Sequence, residues 1–192
     1  MQDSFPKLTP EEYFEWEAKQ ELRYEYLDGE VYAMSGGTVN HGQIAGNSII
    51  LLGNYLRGSG CRVLTSDVRI KIQKSTKFVY PDISVSCDDR DKNATQFISY
   101  PCLIVEVLSP STEAYDRGKK FNWYRQSDSL QDYILVNADK VEIDLYERLD
   151  GDKWKINTYV EGDLIELKSI NLTFSIEQLY EGITFSDDLL SL

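Results

Sequence analysis

The order of predicted elements describes an α/β chain, a mixed β-sheet flanked by helices. Two stretches carry most of that reading. Residues 102–109, Cys-Leu-Ile-Val-Glu-Val-Leu-Ser, form a nearly continuous apolar run, the pattern of a central strand covered on both faces. Residues 40–57 place Ile44, Ile49, Leu51, Leu52, Tyr55 and Leu56 near helical spacing and are followed by Gly58 and Gly60, which predicts a long helix packed on a sheet.

From the start of the chain, Thr9-Pro10-Glu11-Glu12 supplies a capping side chain, a proline at the first helical position and acidic residues in the first turn, predicting a helix over about 10–20. Asp28-Gly29 between two alternating runs predicts a hairpin. Residues 62–73 and 78–87 alternate with period two and read as two strands, joined at Lys74 to Lys77 and expected to pair antiparallel. Pro81 has no backbone N–H, so it belongs at a strand start, an edge or a bulge. After the apolar run, residues 116–126 read as a helix, 132–137, 141–148 and 153–160 as further strands, and 176–180 as a short helical tail. Neither a repeat of 20 to 50 residues nor a low-complexity segment interrupts the pattern, and a single domain over 1–192 is the expectation at this length.

The charge balance bears on function. With 20 Lys and Arg against 32 Asp and Glu, the net charge is −12, which opposes non-specific nucleic-acid binding. Cations nevertheless cluster at Arg69, Lys71, Lys74 and Lys77, and again at Arg117, Lys119, Lys120 and Arg125, so a local basic face stays open. The acidic N-terminus lacks the apolar run of a secretion signal and no segment reaches membrane-spanning length, so a soluble cytoplasmic protein is expected. Cys61, Cys87 and Cys102 lack CxxC spacing and cannot all pair within one chain; they read as small buried hydrophobes rather than as a disulfide framework or a zinc site. A single histidine, His41, leaves carboxylates as the ligands for any metal, which suits Mg²⁺ or Mn²⁺.

Two carboxylates stand out. Asp82 shares strand parity with Tyr80, Ser84 and Ser86, opposite Val79, Ile83 and Val85, and so points away from the main apolar face. Glu106 lies between Val105 and Val107 in the strand expected to be covered on both sides, where an uncompensated carboxylate is costly. A divalent cation shared with Asp82, or an ammonium from Lys119 or Lys120, would compensate it. A structural Glu106–Lys120 ion pair is the plainer reading of the same residues.

Pro81-Asp82, Glu106 and a downstream lysine resemble the PD-(D/E)XK nuclease superfamily. Tyr24 through Glu30 (Y-x-x-x-D-G-E), His41, Pro81-Asp82, Glu106 through Thr112 (E-V-L-S-P-S-T) and Asp116 with Lys120 (D-x-x-x-K) are similar to one branch of it, the uncharacterised family of putative restriction endonucleases abundant in cyanobacteria. The resemblance covers roughly residues 10 to 150. It implies a restriction-endonuclease-like fold that hydrolyses phosphodiester bonds, in DNA before other nucleic acids, with Mg²⁺ or Mn²⁺. Asp82, Glu106 and Lys120 would form the catalytic set, Asp82 and Glu106 would bind the metal, and Glu30 and His41 would be auxiliary. The residue two after Glu106 is Leu108 rather than the superfamily's usual lysine, so the lysine would come from the following helix. Lys120 matches the family position; Lys119, about 100° away on the helix, is the alternative, and Tyr124 would share the face of Lys120. A homodimer is implied by analogy, with 13 tyrosines and 3 tryptophans available for an interface. The charge keeps a second reading open, a catalytically inactive nuclease-fold interaction module, and the same chemistry would admit RNA or single-stranded DNA.

Overall fold

A computed structural model describes residues 7–34 and 36–185 of the chain. Residues 1–6, part of the segment that argued against a secretion signal, lie outside the described residues. The first helix, α1 (Pro10–Glu17), starts where expected: Glu12 N–H donates to Thr9 Oγ1 at 3.2 Å, and Thr9 N–H donates to Glu12 Oε2 at 2.7 Å. Strands β1 (Tyr24–Leu27) and β2 (Glu30–Ala33) form the hairpin, with Asp28 (φ 53) and Gly29 (φ 104) both left-handed, as a tight two-residue turn requires. The long helix α2 spans Val39–Tyr55.

The two strands expected over 62–73 and 78–87 do pair antiparallel, but each breaks in two and serves two sheets. β3 (Arg62–Thr65) pairs with β6 (Ile83–Ser86), while β4 (Arg69–Lys71) pairs with β5 (Lys77–Val79). Thr65 faces Ile83 and Ile70 faces Val79, so residues 66–69 on one side oppose only 80–82 on the other. That one-residue mismatch is bulge-like, and Pro81, which could not donate to a ladder, sits within it. The chain therefore crosses between sheets at Tyr80-Pro81-Asp82.

The short β7 (Phe97–Ile98) completes a five-stranded sheet of order β2-β1-β5-β4-β7. The larger sheet has β8 (Leu103–Leu108) at its centre, antiparallel to β6 and parallel to β9 (Asp132–Asn137), followed by β10 (Glu142–Arg148) and β11 (Trp154–Val160) at the edge. All six residues of β8 are buried, as its apolar run predicts. Alternation along β8 splits the core. Leu103, Val105 and Val107 pack with Ile44 and Leu52 of α2 and with Ile165 and Phe174 of a hairpin, β12 (Leu164–Leu167) and β13 (Leu172–Ser175), that periodicity did not reveal. Ile104 and Leu108 face the other way, toward Ile70, Ile72 and Val79 of the smaller sheet. On the far side of that sheet α1 buries Tyr13 against Tyr26 and Phe78.

The helix expected over 116–126 starts earlier and is irregular: α3 (Glu113–Tyr115), a π-helical turn over Asp116–Lys120, then α4 (Phe121–Tyr124). The tail is a 3₁₀ turn, Ile176–Gln178. The cysteine reading is corrected. Cys61 and Cys87 form a disulfide, and Cys87 is exposed rather than buried. The strand register accounts for the pair: Arg62 faces Ser86, so the next residues outward face each other. Cys102 stays free, its Sγ 3.8 Å from that of Cys87, and burial pushes its thiol up to about 11. Among the described residues no helix is long and apolar enough to cross a membrane.

Candidate active site

Glu106 lies on the Ile104/Leu108 face of β8 and so points between the sheets, where only polar partners can make its burial tolerable. Asp82 sits beside it, one residue before β6. The two carboxylates take up backbone donors that the irregular junction leaves without ladder partners. Asp82 N–H donates to Glu106 Oε2 at 3.3 Å, and Val107 N–H donates to Asp82 Oδ2 at 2.7 Å. Lys120 reaches in from the π-turn: its Nζ donates to Glu106 Oε1 at 3.0 Å and to the Tyr80 carbonyl at 3.4 Å. Tyr124, one helical turn on, donates its hydroxyl to the same Glu106 oxygen at 3.0 Å. Lys119 is exposed at the rim, so Lys120 is the lysine that faces the acids.

Two further carboxylates close around Lys120 Nζ, Asp116 Oδ1 at 3.4 Å and Glu25 Oε1 at 3.7 Å. Glu25, on β1, also accepts from Tyr80 N–H at 3.2 Å and from the Tyr115 hydroxyl at 2.9 Å. Tyr80 is fixed from its other end, donating to Glu17 Oε1 at 2.5 Å, and Glu17 pairs with Arg69 at 2.7 Å. His41, in the first turn of α2, brings Nε2 to 3.3 Å from Asp82 Oδ2, and its own N–H donates to the capping Thr38 Oγ1 at 3.2 Å. Gly37 makes room for that ring, since a Cβ there would lie 2.6 Å from His41 Nδ1.

Three carboxylates, Glu106, Asp116 and Glu25, thus surround one buried ammonium, and Asp82 adjoins Glu106. Burial pushes the Glu106 carboxyl well above its ordinary value; Lys120 opposes this, while Asp116 and Asp82 add to it. Burial raises Asp116 in the same way, again against Lys120. For Lys120 burial favours the neutral amine, but Glu106, Glu25 and Asp116 outweigh it and hold the group above its usual range, fully charged. The hydrogen bond to Asp82 raises the His41 imidazole above 6.5, against the effect of burial. Perturbed groups concentrated in one cleft make it the candidate site. The cleft, of about 320 Å³, has these groups at its floor.

The donor set fits a hard divalent cation. Its negative charge exceeds what Lys120 neutralises, and among the described residues buried Asp116 Oδ1 has the 3.4 Å ion pair with Lys120 as its one polar contact. Among the described residues no three His, Cys, Asp or Glu side chains enclose an ion by themselves. A cation held by Asp82 and Glu106 would take most of its ligands from water, the habit of Mg²⁺.

Glu30 stands apart from this constellation. It is exposed on β2, outside the cleft wall, and accepts from its neighbour Tyr32 at 2.6 Å. Glu25 and Asp116 are the members that sequence reasoning did not assign. Glu25 carried the signal used for Glu106, a carboxylate in a strand too apolar to leave it unpaired, and Asp116 stands four residues before Lys120, on its helical face.

The two-sheet core with an acidic, lysine-bearing cleft defines a restriction-endonuclease-like α/β protein. A solved structure described as a putative nuclease belonging to DUF820 from Anabaena variabilis ATCC 29413 has the same fold, with a TM-score of 0.74 at 18% identity over 90% of this chain and 97% of that one. The family profile Uma2, "Putative restriction endonuclease", matches residues 10–177, and the chain belongs to that family. An uncharacterized protein of Synechocystis sp. (strain ATCC 27184 / PCC 6803 / Kazusa) is 51% identical over 181 residues, 94% of this chain and 95% of its own length. A second uncharacterized protein of that strain is 28% identical over 163 residues, 84% and 92% of the two chains.

Proposed function

We propose that the chain is a metal-dependent endonuclease that hydrolyses phosphodiester bonds in DNA, with Asp82, Glu106 and Lys120 as its catalytic set. The observation that carries this is the meeting of Asp82 and Glu106 beside the Lys120 ammonium at the floor of one cleft. Asp82 and Glu106 would hold Mg²⁺ or Mn²⁺, which supplies Lewis-acid stabilisation of phosphate charge and a water of lowered pKa. Lys120, whose charged form the surrounding carboxylates favour, would orient Glu106 and face the phosphate as a positive charge, and it would orient or help deprotonate the attacking water. His41 steers Asp82 and, when neutral, can accept a proton near it. A DNA substrate would place the protein in the cytoplasm. Cutting both strands of a duplex would call for a homodimer.

The test is calorimetric titration of Mn²⁺ into wild type, Asp82→Ala and Glu106→Ala, followed by DNA cleavage with Mg²⁺. Binding to wild type that disappears in both variants, together with cleavage, supports the reading; cleavage undiminished in Asp82→Ala sinks it.

One observation favours a second reading, the inactive interaction module. Five of the eight cations of the two basic clusters are ion-paired within the chain: Arg69 with Glu17, Lys74 with Asp128, Lys77 with Asp28, Arg117 with Glu113 and Asp144, and Lys120 with Glu106, Asp116 and Glu25. A protein that binds no Mn²⁺, even with DNA present, would be that module.

A further inference from the structure

The cleft differs from a surface built to grip a duplex. Glu106 and Lys120 are 2% and 7% exposed, so a scissile phosphate has to descend between the β1–β2 hairpin, the start of α2 and the π-turn. At about 320 Å³ the space is at the lower end of small-ligand pockets, roughly 300–1,000 Å³. Holding a rigid double helix across this mouth would require rows of cations for its two backbones. The rim instead offers Lys119, while Lys74 pairs with Asp128 and Arg125 donates to the Asp152 carbonyl, in addition to the engaged cations named above.

What the rim does supply is aromatic surface. Tyr32, at the end of the hairpin, is 46% exposed although its neighbours on the smaller sheet's other strands pack inward. Trp123 and Tyr115 line the opposite wall, half-buried, with ring centroids 5.7 Å apart and planes at 83°. Aromatic faces on which bases stack are one element of single-strand recognition; the other, cations along the backbone, is supplied here by Lys119 at the rim and Lys120 at the floor.

We propose that the substrate enters as single-stranded DNA, an unpaired segment or frayed end, with a base stacked against Trp123 or Tyr32 and the adjoining phosphodiester lowered to Asp82, Glu106 and Lys120. This rests on the nuclease reading and names its substrate class. Tyr32 and Trp123 are then specificity residues that touch the substrate and leave the chemistry to the floor. Truncating either removes binding that the ground and transition states share, which raises KM and spares kcat.

The experiment compares cleavage of one sequence as a single strand, as a blunt duplex and as a duplex with a single-stranded overhang, in Mn²⁺, by wild type, Tyr32→Ala, Trp123→Ala and Trp123→Phe. The expected result is at least about tenfold preference for the unpaired forms, with KM raised roughly tenfold in each alanine variant and restored in Trp123→Phe, the size of one lost stack. Tyr32 is exposed, so its variant folds even where Trp123→Ala loosens the core. Blunt duplex cleaved as fast as single strand, or unchanged KM in both alanine variants, overturns the inference and leaves the nuclease reading standing. Absence of any Asp82-dependent cleavage overturns the nuclease reading instead. Fluorescence anisotropy of labelled oligonucleotides then decides the ligand class alone: tighter single-strand binding weakened by both alanine variants upholds it, and equal binding of both forms overturns it.

Discussion

At the scale of single residues, the cleft is a balance between one ammonium and four carboxylates, and removing one partner exposes what the others cost. Lys120→Met leaves Glu106 buried beside Asp82 and Asp116 without its cation. A loss of about 3–5 kcal/mol is expected, as for other broken buried pairs. The sign of its pH dependence follows from Glu106. With its folded-state pKa raised above the unfolded value, the native state binds the extra proton, so stability falls as pH rises through that window. Urea denaturation should show a larger deficit at mildly alkaline than at mildly acidic pH, and adding Glu106→Gln should recover much of it. A Lys120→Met protein as stable as wild type at both would contradict the balance. His41 offers a second reading of the same site, because it is the chain's only histidine and gives one imidazole signal. In metal-free protein it should titrate above 6.5 by NMR, returning toward 6.5 in Asp82→Asn. Its pairing stabilises the fold fully below 6.5, and the contribution disappears as pH rises through the folded-state pKa. An identical midpoint in the variant would mean that the 3.3 Å contact does not form in solution.

At the scale of elements, legibility followed how local the cause was. The N-cap at Thr9, the Asp28-Gly29 turn and the apolar β8 run depend on neighbouring residues, and all three formed where their residue patterns placed them. The split of 62–73 and 78–87 between two sheets depends on which strands lie alongside, and only Pro81 hinted at it. The π-turn that carries Asp116 and Lys120 inward has no periodicity of its own over five residues, so a plain helix was the natural reading. Lys120 could be separated from Lys119 only by that turn's orientation, whereas Glu30 and Glu25 could be told apart only by which strand face the smaller sheet covers. The disulfide belongs here too, since its partners are distant in sequence and met only once β3 and β6 were in register. It staples the two strands across a 26-residue separation, which a loop-entropy argument values at between about 3 and 4 kcal/mol. Reduction should therefore lower Tm by roughly 10 °C. The measurement belongs in a Cys102→Ser background, because the free thiol 3.8 Å from Cys87 could otherwise exchange with the bond. An unchanged Tm after complete reduction would show that the register alone holds the strands.

At the scale of the whole molecule, the net charge of −12 and the nuclease family pull in opposite directions, and salt dependence separates the ways they can be reconciled. A DNA-binding protein that neutralises many phosphates loses affinity steeply with salt, with a slope of log K against log salt near −0.9 per phosphate on duplex and near −0.7 on single strands. Here five of the eight cations that the sequence groups together are ion-paired, with Glu17, Asp128, Asp28, Glu113, Asp144 and the acids around Lys120 as partners, and Lys119 is the exposed cation at the rim of the cleft. One or two phosphates neutralised on a single strand give a slope between about −0.7 and −1.4. Most of the affinity would then come from stacking at the rim, which, unlike phosphate contacts, releases no counterions. Anisotropy titrations across a monovalent-salt series at fixed Mg²⁺ measure the slope directly. A shallow slope that flattens further in Lys119→Ala is expected. A slope steeper than about −5 would mean that six or more phosphates are neutralised, and the DNA would then have to lie on a basic surface away from this cleft.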